Sequence, residues 1–352
     1  MPIAEAEGRK LATVESVAAV TPIEGADAIE AAHVRGWTVV VKKGDVNPGD
    51  KVVYIEVDTA LPVDDPLYAF LAQRGVKEVA GRKYHVLRTI RLRGVYSQGI
   101  LFPASAYPTA FGFAELPDGT DVTGVLGLGK YEPPMPVGAG DQVGPFLTQY
   151  ARKTDAERVQ NLLDVWPALL EHRWVATLKI DGSSATAVRD QDGAMRVMSR
   201  NWEIGEGDNT YWNVVRRHED LFGALKPGEA LQFEIAGPGI QSNRLQLPDV
   251  RPFVFAANLA GPDGAVRRGV PIREWPEGIR KWSVPVLEEA TEAGLPATAE
   301  QAIAQAEGLR WGPRNLLAEG IVWHEAEGVG LEVLDGRNIF KVVNNRYLEK
   351  TK

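Results

Sequence analysis

The sequence predicts a two-domain α+β protein in which a small N-terminal β-barrel precedes a larger domain of antiparallel sheets with flanking helices. The chain has 352 residues, which is more than a single hydrophobic core usually organises. Residues 10–103 form short strand-like runs separated by turn residues, whereas the second half alternates apolar strand-like runs with one or two helical segments. These observations favour a barrel followed by an α+β domain.

Three strand-like runs define the expected barrel, namely Trp37–Lys42, Lys51–Asp58 and Tyr84–Arg93. The densest basic cluster of the chain surrounds the third run and consists of Arg82, Lys83, Arg88, Arg91 and Arg93. Such a cluster is compatible with a solvated strand face, and equally with a five-stranded OB barrel that binds nucleic acid on one face. The net charge of −8 argues against a uniformly positive surface but is compatible with a local basic groove.

The boundary between the domains is expected where residues 104–149 become rich in glycine and proline, which gives domains of 1–140 and 141–352. Thr154 and Glu157 then have the spacing of a helix capping box. The second domain has six strand-like runs: Trp174–Ile180, Ala194–Ser199, Ala230–Ala236, Pro252–Leu259, Gly320–His324 and Asn338–Val343. A helix is expected over Ala299–Gly308 with its own cap at Thr298.

Composition excludes several kinds of chemistry. The chain has no cysteine, so disulfides, thiol nucleophiles, iron–sulfur clusters and cysteine zinc sites are excluded. Its five histidines form no HxxxH pair. The first residues do not resemble a targeting peptide, and no apolar run approaches the roughly 20 residues that a membrane helix needs. The expectation is a cytoplasmic protein without a membrane segment.

One motif resembles a phosphate-binding P-loop but lacks two features that a P-loop needs. Residues 124–130 match the GxxxxGK pattern. Tyr131 stands where a serine or threonine would bind magnesium, and Glu132-Pro133-Pro134 cannot open the helix whose amides would hold the phosphates. We therefore do not expect a P-loop here.

A stronger signal is the sequence Thr177-Leu178-Lys179-Ile180-Asp181-Gly182 at the end of an apolar run. The tetrad Lys-x-Asp-Gly is common by chance and could mark only a strand end and a turn. Four further charged residues follow it within strand-like runs, in the order Arg200, Glu234, Glu319 and Lys341. Charges set among apolar strand residues usually belong to a site, although isolated charges on solvated strand faces are also common.

These elements, in this order, resemble the covalent nucleotidyltransferase superfamily of ATP-dependent ligases and mRNA capping enzymes, over about residues 150–350. Within it the chain is similar to RNA ligases that seal nicks in duplexes, particularly the fifth RNA ligase family. There an OB module precedes the catalytic, ATP-grasp-like ligase domain. Residues 49–58, Gly-Asp-Lys-Val-Val-Tyr-Ile-Glu-Val-Asp, resemble part of that module.

The resemblance implies a catalytic Lys179 that attacks ATP and carries AMP, together with a catalytic Lys341 that contacts the α-phosphate. It implies nucleotide contacts from Thr177, Leu178, Lys179, Gly182, Arg200, Glu234, Phe253, Phe255, Glu319 and Lys341. Asp181, Glu234 and Glu319 would act on the metal, Mg²⁺ or Mn²⁺, in part through its waters. The implied partner is nicked RNA or an RNA-containing duplex, contacted by the basic cluster, and the protein is expected to be a monomer.

Three departures from the family pattern qualify these expectations. Val343 replaces a second lysine after Lys341, and Ala256 replaces an aspartate found in many relatives, which leaves the choice between Phe253 and Phe255 for adenine stacking open. Ser184 replaces an arginine common in DNA ligases and capping enzymes, which favours an RNA ligase.

Two other functions remain in competition. One is a DNA ligase or capping enzyme, although these usually carry an OB domain after the last motif, where only residues 342–352 remain here. The other is a nucleic-acid-binding module with a decayed nucleotide pocket.

Overall fold

The computed structural model describes residues 9–79, 81–132, 138–153 and 155–349. The chain divides into two compact units, residues 1–134 and 135–351. Because the division falls beside residues that are not described, the expected boundary at residue 140 stays a prediction. None of the helices in the described ranges has the length and apolar character to cross a membrane.

The first unit is built from short strands. They are β1 Ala12–Ser16, β2 Ala19–Pro22, β3 Ile29–Val34, β4 Trp37–Lys42, β5 Lys51–Ile55, β6 Thr59–Pro62, β7 Lys77–Val79, β8 Arg82–Val86, β9 Ile90–Leu92, β10 Val95–Ser97, β11 Ile100–Pro103, β12 Thr120–Asp121 and β13 Gly129–Lys130. They form sheets in the orders β11-β5-β1-β12, β13-β6-β8-β7, β2-β3-β4 and β10-β9. The pairs are antiparallel throughout. A 3-10 helix spans Pro66–Arg74, and the side chain of the preceding Asp65 accepts a hydrogen bond from the Leu67 amide.

The expected barrel strands are recovered with one error. The run Trp37–Lys42 is β4. The run Lys51–Asp58 contains β5, which ends at Ile55, and a turn follows in which Asp58 has a positive φ. The single strand expected over Tyr84–Arg93 is wrong, because β8 ends at Val86 and β9 occupies Ile90–Leu92 in another sheet. Arg93 and Gly94 both have positive φ, as a two-residue hairpin turn of type I′ requires.

The P-loop-like sequence at residues 124–130 ends in β13, which pairs with β6. Residues 131 and 132, which follow it, are not helical. The rejection of a P-loop is therefore confirmed for the part of this region that the structure describes.

The second unit contains the remaining strands and the α-helices. The strands are β14 Gln142–Pro145, β15 Glu157–Arg158, β16 Trp174–Leu178, β17 Ser183–Arg189, β18 Met195–Ser199, β19 Trp202–Ile204, β20 Ala230–Ala236, β21 Arg251–Ala260, β22 Val266–Arg267, β23 Arg310–Trp311, β24 Leu316–Leu317, β25 Gly320–Glu325 and β26 Ile339–Val343. The helices are α1 Trp166–Leu169, α2 Thr210–Arg217, α3 Glu219–Phe222, α4 Glu277–Arg280, α5 Glu288–Ala293, α6 Ala299–Gly308 and α7 Asn345–Glu349.

Two sheets organise this unit. A seven-stranded antiparallel sheet has the order β14-β19-β18-β17-β20-β21-β22, and a four-stranded sheet has the order β15-β26-β25-β16. In the smaller sheet β15 and β26 run parallel. Phe233 of the large sheet packs against Phe222 of α3 in a cluster that also includes apolar residues of α2, while Ala299, Ala302 and Ala306 of α6 pack against the smaller sheet. Alanine at these positions lets the helix approach the sheet closely.

The prediction of a helix capped by Thr154 and Glu157 is wrong at Glu157. Thr154 itself lies outside the described residues, and Glu157 begins β15. Its carboxylate accepts hydrogen bonds from the Arg158 amide and Asn161 instead of capping a helix. The backbone of Glu157 and Arg158 pairs with β26, so the tertiary structure overrides the local helix-capping pattern. The second capped helix is confirmed: α6 covers Ala299–Gly308, and Thr298 accepts from the Gln301 amide at 3.3 Å.

Candidate active site

Lys179 follows directly after β16, at the edge where β16 pairs with β25. Its amide donates to the carbonyl oxygen of Gly320 at 2.9 Å, which fixes the backbone beside the start of β25. Its ammonium lies 2.7 Å from Oε1 of Glu319, and the two side chains are only 25% and 15% exposed. The antiparallel pairing of Leu178 with Ile321 therefore brings together two charges that are 140 positions apart in the chain.

Two more carboxylates act on Lys179. Asp181 lies two residues further along, and Glu234 comes from β20, where it pairs with Ser184. Burial alone would lower the pKa of Lys179, but Glu319, Glu234 and Asp181 outweigh it and raise that pKa. Burial raises the pKa of Glu234 to about 8 and also raises the pKa of Glu319, with Lys179 opposing both shifts. The lysine is therefore an ammonium paired with Glu319.

Lys341 and Arg200 share one carboxylate, that of Asp155. Lys341 on β26 lies 3.3 Å from Oδ1 of Asp155, and Arg200, just after β18, lies 3.1 Å from Oδ2. The side chains of Lys341 and Asp155 are 16% and 25% exposed. Sequence reasoning missed Asp155 because it lies inside the apparent capping box. Because one carboxylate pairs with both cations, it keeps Lys341 and Arg200 close enough for both to contact a single anionic group.

Phe253 and Phe255 both lie on β21 and contribute to one apolar cluster with Leu178 and Ile180. They differ in how far they are exposed. Phe253 is 4% exposed, and the guanidinium of Arg251 lies 5.0 Å from its ring centroid. Phe255 falls at an irregularity in the pairing of β20 with β21 and is only partly buried. Such an irregularity re-aims a side chain, which leaves the Phe255 ring more accessible than that of Phe253.

Thr177 and Leu178 are occupied within the protein. The Thr177 hydroxyl is buried, donates to the carbonyl of Val322 at 3.1 Å and lies 3.0 Å from Nε2 of His324. Burial lowers the pKa of His324 to about 4, so this histidine is neutral at physiological pH. The Leu178 amide donates to Pro285 at 2.9 Å. The Thr177 hydroxyl and the Leu178 amide are therefore engaged within the protein, and nucleotide contacts by these two residues stay a prediction.

Gly182 lies where two strands approach closely. A Cβ at this position would lie 2.9 Å from Cγ of Glu234 and closer still to the carbonyl oxygen of Ile235. The carbonyl of Gly182 accepts from the side-chain amide of Gln241 at 3.3 Å. Glycine is therefore required here for space.

The carboxyl groups of Asp181, Glu234 and Glu319 could hold a divalent metal ion through its water molecules. Within the described ranges, no group of three or more histidine, aspartate or glutamate side chains could hold a metal ion directly. Oε2 of Glu319 is nevertheless buried and accepts no hydrogen bond from any described residue. A buried, unpaired carboxylate oxygen is costly unless a ligand or water pairs with it. This donor set fits the water shell of a divalent cation.

Sequence reasoning also missed the C-terminal helix. The hydroxyl of Tyr347 in α7 donates to Oδ2 of Asp181 at 2.7 Å. Burial and this hydrogen bond raise the pKa of Tyr347, so the group stays a donor. No local pattern relates a tyrosine near the chain end to an aspartate 166 residues earlier.

Family models match both halves of the chain. An OB-fold domain model matches residues 11–104, and an RNA ligase model matches residues 172–343. Solved structures of the RNA ligase of Naegleria gruberi match nearly the whole chain. A mutant with AMP and Mn is 36% identical, with 97% of this chain and 99% of that chain covered and a TM-score of 0.80. The chain belongs to the RNA ligase family.

Two further structures of the same ligase agree with this assignment. A mutant with ATP and Mn has a TM-score of 0.80 at 36% identity, and a structure with PPi has a TM-score of 0.79 at 35% identity. Both comparisons cover 97% of this chain, and 99% and 98% of the other chain. None of the curated proteins searched matches this RNA ligase significantly. The expected fold class, an OB barrel followed by a sheet-rich ligase domain, and the resemblance to ATP-dependent RNA ligases are confirmed.

The basic cluster of this RNA ligase is spread over several elements of the first unit. Arg82 and Lys83 lie on β8, Arg88 in the following connection, Arg91 on β9 and Arg93 in the turn to β10. The five side chains are exposed. Arg91 is also engaged locally, since its Nε donates to Gly94 at 3.1 Å and its guanidinium lies 5.4 Å from the Tyr96 ring. The nucleic-acid role of these residues stays a prediction.

Proposed function

We propose that this ATP-dependent RNA ligase seals nicks with a 3′-hydroxyl and a 5′-phosphate in duplex RNA or RNA-containing hybrids. A lysyl-AMP on Lys179 and an adenylylated 5′ end are the two intermediates. The observation that carries this proposal is the enclosed Lys179–Glu319 pair at 2.7 Å, with Glu234 and Asp181 beside it. A lysine in such a place is costly without a chemical role. ATP and a divalent metal ion are the cofactors.

In the first step the Lys179 amine attacks the α-phosphorus of ATP. A P–N bond forms, the bond from the α-phosphorus to the bridging oxygen breaks, pyrophosphate leaves, and the proton of the Lys179 amine passes to solvent. An oxygen of the 5′-phosphate at the nick then attacks the same phosphorus and the P–N bond breaks, which gives the adenylylated 5′ end. The 3′-hydroxyl attacks the 5′-phosphorus, loses its proton to solvent and displaces AMP to form the phosphodiester. Phosphoryl transfer of this kind depends mainly on positioning and charge neutralisation.

The remaining residues position and neutralise. A bound divalent ion supplies positive charge at the phosphates, and Asp181, Glu234 and Glu319 would hold its water molecules. Lys341 and Arg200 would contact phosphate oxygens once these replace the Asp155 carboxylate. The accessible ring of Phe255 would stack on adenine.

Substrate specificity is tested with a panel of nicked duplexes. Each strand beside the nick is RNA or DNA in turn, and a single-stranded RNA with the same ends is included. We expect sealing of the RNA nick and a 5′-adenylylated strand that accumulates when the terminal 3′-hydroxyl is removed. Sealing of single-stranded ends in preference to nicks, or of DNA nicks in preference to RNA nicks, would contradict the proposed substrate.

The rate of Lys179 adenylylation should rise with pH. Because carboxylates raise the pKa of Lys179, the neutral amine is a minor species near pH 7, and its fraction grows about tenfold per pH unit below the pKa. The second-order rate constant for ATP reports ionisations of the free enzyme. Measured by quenched label incorporation between pH 7.5 and 9, it should increase throughout. A flat profile would mean that the proton passes to Glu319 inside the pair.

Asp155→Asn should bind pyrophosphate more tightly than the wild type does. The Asp155 carboxylate competes with phosphate for Lys341 and Arg200, so neutralising it should strengthen binding by roughly twofold to fivefold, the range for partly exposed ion pairs. Calorimetric titration with pyrophosphate measures this, with adenosine as the uncharged ligand. Asp220→Asn, which loses the ion pair with Lys281, is the matched control. Unchanged or weaker pyrophosphate binding would show that Asp155 only supports the two cations.

Reversing charge in the basic cluster should weaken binding to nicked RNA. Each lost phosphate contact should reduce the slope of log K against log salt by about 0.9 on a duplex. We expect the double change Arg82→Glu and Lys83→Glu to lower both affinity and slope in an equilibrium binding series over salt concentration. Lys42→Glu with Lys43→Glu carries the same charge change on exposed residues of the same unit. Equal losses from both pairs would point to net charge, and contradict a role for the cluster.

A further inference from the structure

The hydrogen bond between Tyr347 and Asp181 connects the C-terminal helix to the candidate active site. The Tyr347 side chain is buried, with the residue 2% exposed, and its hydroxyl donates to Oδ2 of Asp181 at 2.7 Å. Asp181 lies two residues after the nucleophile and contributes to the field at Lys179. The phenol therefore fixes one oxygen of a carboxylate whose charge acts on Lys179.

Tyr347 is itself held from the other side. The guanidinium of Arg244 lies 4.3 Å from the Tyr347 ring centroid and also donates to the Tyr347 carbonyl oxygen. Arg244 belongs to the connection between β20 and β21, in which Gln241, Asn243 and Gln246 have positive φ. Backbone strain of this kind persists only where surrounding contacts enforce it. The ring is thus clamped in one position.

Asn344, just before α7, attaches the same segment to Glu319. The residue is fully buried, its amide donates to the Glu319 carbonyl at 2.8 Å, and its Nδ2 donates to the Ala318 carbonyl at 2.9 Å. Its Oδ1 accepts from the Arg346 amide at 3.0 Å, at the start of α7. The segment from Asn344 to Tyr347 therefore contacts both Asp181 and Glu319. Tyr347 contacts the side chain of Asp181, and Asn344 contacts the backbone of Glu319.

Packing alone does not account for the Tyr347 hydroxyl. A phenylalanine would fill the same space and keep the contact with Arg244. The hydroxyl adds a charge-assisted hydrogen bond that restrains rotation of the Asp181 carboxylate and leaves its second oxygen outside that bond. Partners that orient metal-site carboxylates typically change metal affinity by about 10–100-fold when removed.

We propose that Tyr347 is a positioning residue that orients Asp181 toward the water shell of the divalent ion bound with ATP. This inference rests on the proposed function only in assigning Asp181 to the metal's waters. The Tyr347 hydroxyl sets the affinity for the metal, while binding of ATP without metal does not depend on it. The pairing also gives the C-terminal helix a role in the adenylylation step.

The test measures Mn²⁺ affinity directly, without turnover. In a Lys179→Met background, which cannot form the adenylate, Mn²⁺ is titrated into the protein–ATP complex and followed by the paramagnetic resonance of free Mn²⁺. Tyr347→Phe should raise the Mn²⁺ dissociation constant about tenfold. ATP affinity in the presence of a chelator should stay unchanged. With Lys179 present, saturating Mn²⁺ should restore the adenylylation rate, so the defect appears in the metal requirement.

Two controls make the result specific. Tyr54→Phe removes a buried hydroxyl that donates to the Gln98 carbonyl at 3.0 Å in the first unit, and it should leave Mn²⁺ affinity unchanged. In an Asp181→Asn background, Tyr347→Phe should have no further effect on Mn²⁺ affinity, because the hydroxyl acts through the ionised carboxylate.

Unchanged Mn²⁺ affinity in Tyr347→Phe, or an equal loss in the Asp181→Asn background, would overturn the inference. Failure of the proposed function would appear elsewhere, as wild-type protein that forms no adenylate or seals no nick. The two failures are therefore distinguishable.

Discussion

Lys179→Met should reduce covalent labelling of the protein by α-labelled ATP to background. The Lys179 amine pairs with Glu319 and is influenced by the charges of Glu234 and Asp181, and methionine keeps much of its length while it removes the nucleophile. Purified protein is incubated with α-labelled ATP or GTP and a divalent metal, and the label is read after denaturing electrophoresis. We expect the wild type to retain label from ATP.

The matched control for this experiment is Lys281→Met. Lys281 also pairs with a carboxylate, that of Asp220 at 2.8 Å, but both side chains are about half exposed. This variant should label like the wild type. Label that persists in Lys179→Met would place the nucleophile elsewhere, and label from GTP alone would indicate capping chemistry.

The charged residues of the site could be predicted from sequence because they stand out against their surroundings. Glu234 lies in the apolar run that became β20, and Lys341 lies in the run that became β26. An unpaired charge in such a run destabilises the fold, so its presence indicates a site. The structure brings Lys179 and Glu319 into contact, and it joins Lys341 to Arg200 through Asp155.

The sequence could not predict contacts that depend on strand register or on segments far apart in the chain. Asp155 meets Lys341 across 186 positions, and the local pattern around it suggested a helix cap. Phe255 is re-aimed by an irregular pairing between β20 and β21, which residue types alone do not specify. The turn at Arg93 and Gly94 was hidden inside an alternating run that reads as one strand. In each case tertiary pairing decides between locally acceptable structures.

A second large effect is expected from substitution of Gly182, the glycine of the Lys-x-Asp-Gly motif. Gly182→Ala should lower the rate of Lys179 adenylylation by about 100-fold, the scale of loss that an error of about 1 Å in positioning can produce. The new Cβ would lie 2.9 Å from Cγ of Glu234 and closer still to the carbonyl oxygen of Ile235, which is backbone and cannot move independently. Ser183, the next residue, pairs with Ile235, so the start of β17 must shift away from β20.

That shift is expected to displace Asp181 and Lys179, which immediately precede Gly182, relative to Glu234. Overpacking of this kind typically costs about 1–3 kcal/mol of unfolding free energy, so the melting temperature should fall by several degrees while the unit stays folded. Adenylylation is measured by label incorporation well below that melting temperature, which separates misplacement of the site from unfolding.

Gly278→Ala is the matched control, because Gly278 lies in α4 of the same unit and a Cβ added there would meet no atom within 4 Å. Alanine there should leave adenylylation unchanged and stabilise the helix by up to about 1 kcal/mol. A Gly182→Ala protein that adenylylates at the wild-type rate would mean that β17 and β20 separate without disturbing Lys179. The close approach of the strands would then serve folding alone, because the positions of Lys179 and Asp181 would be set by β25 and α7.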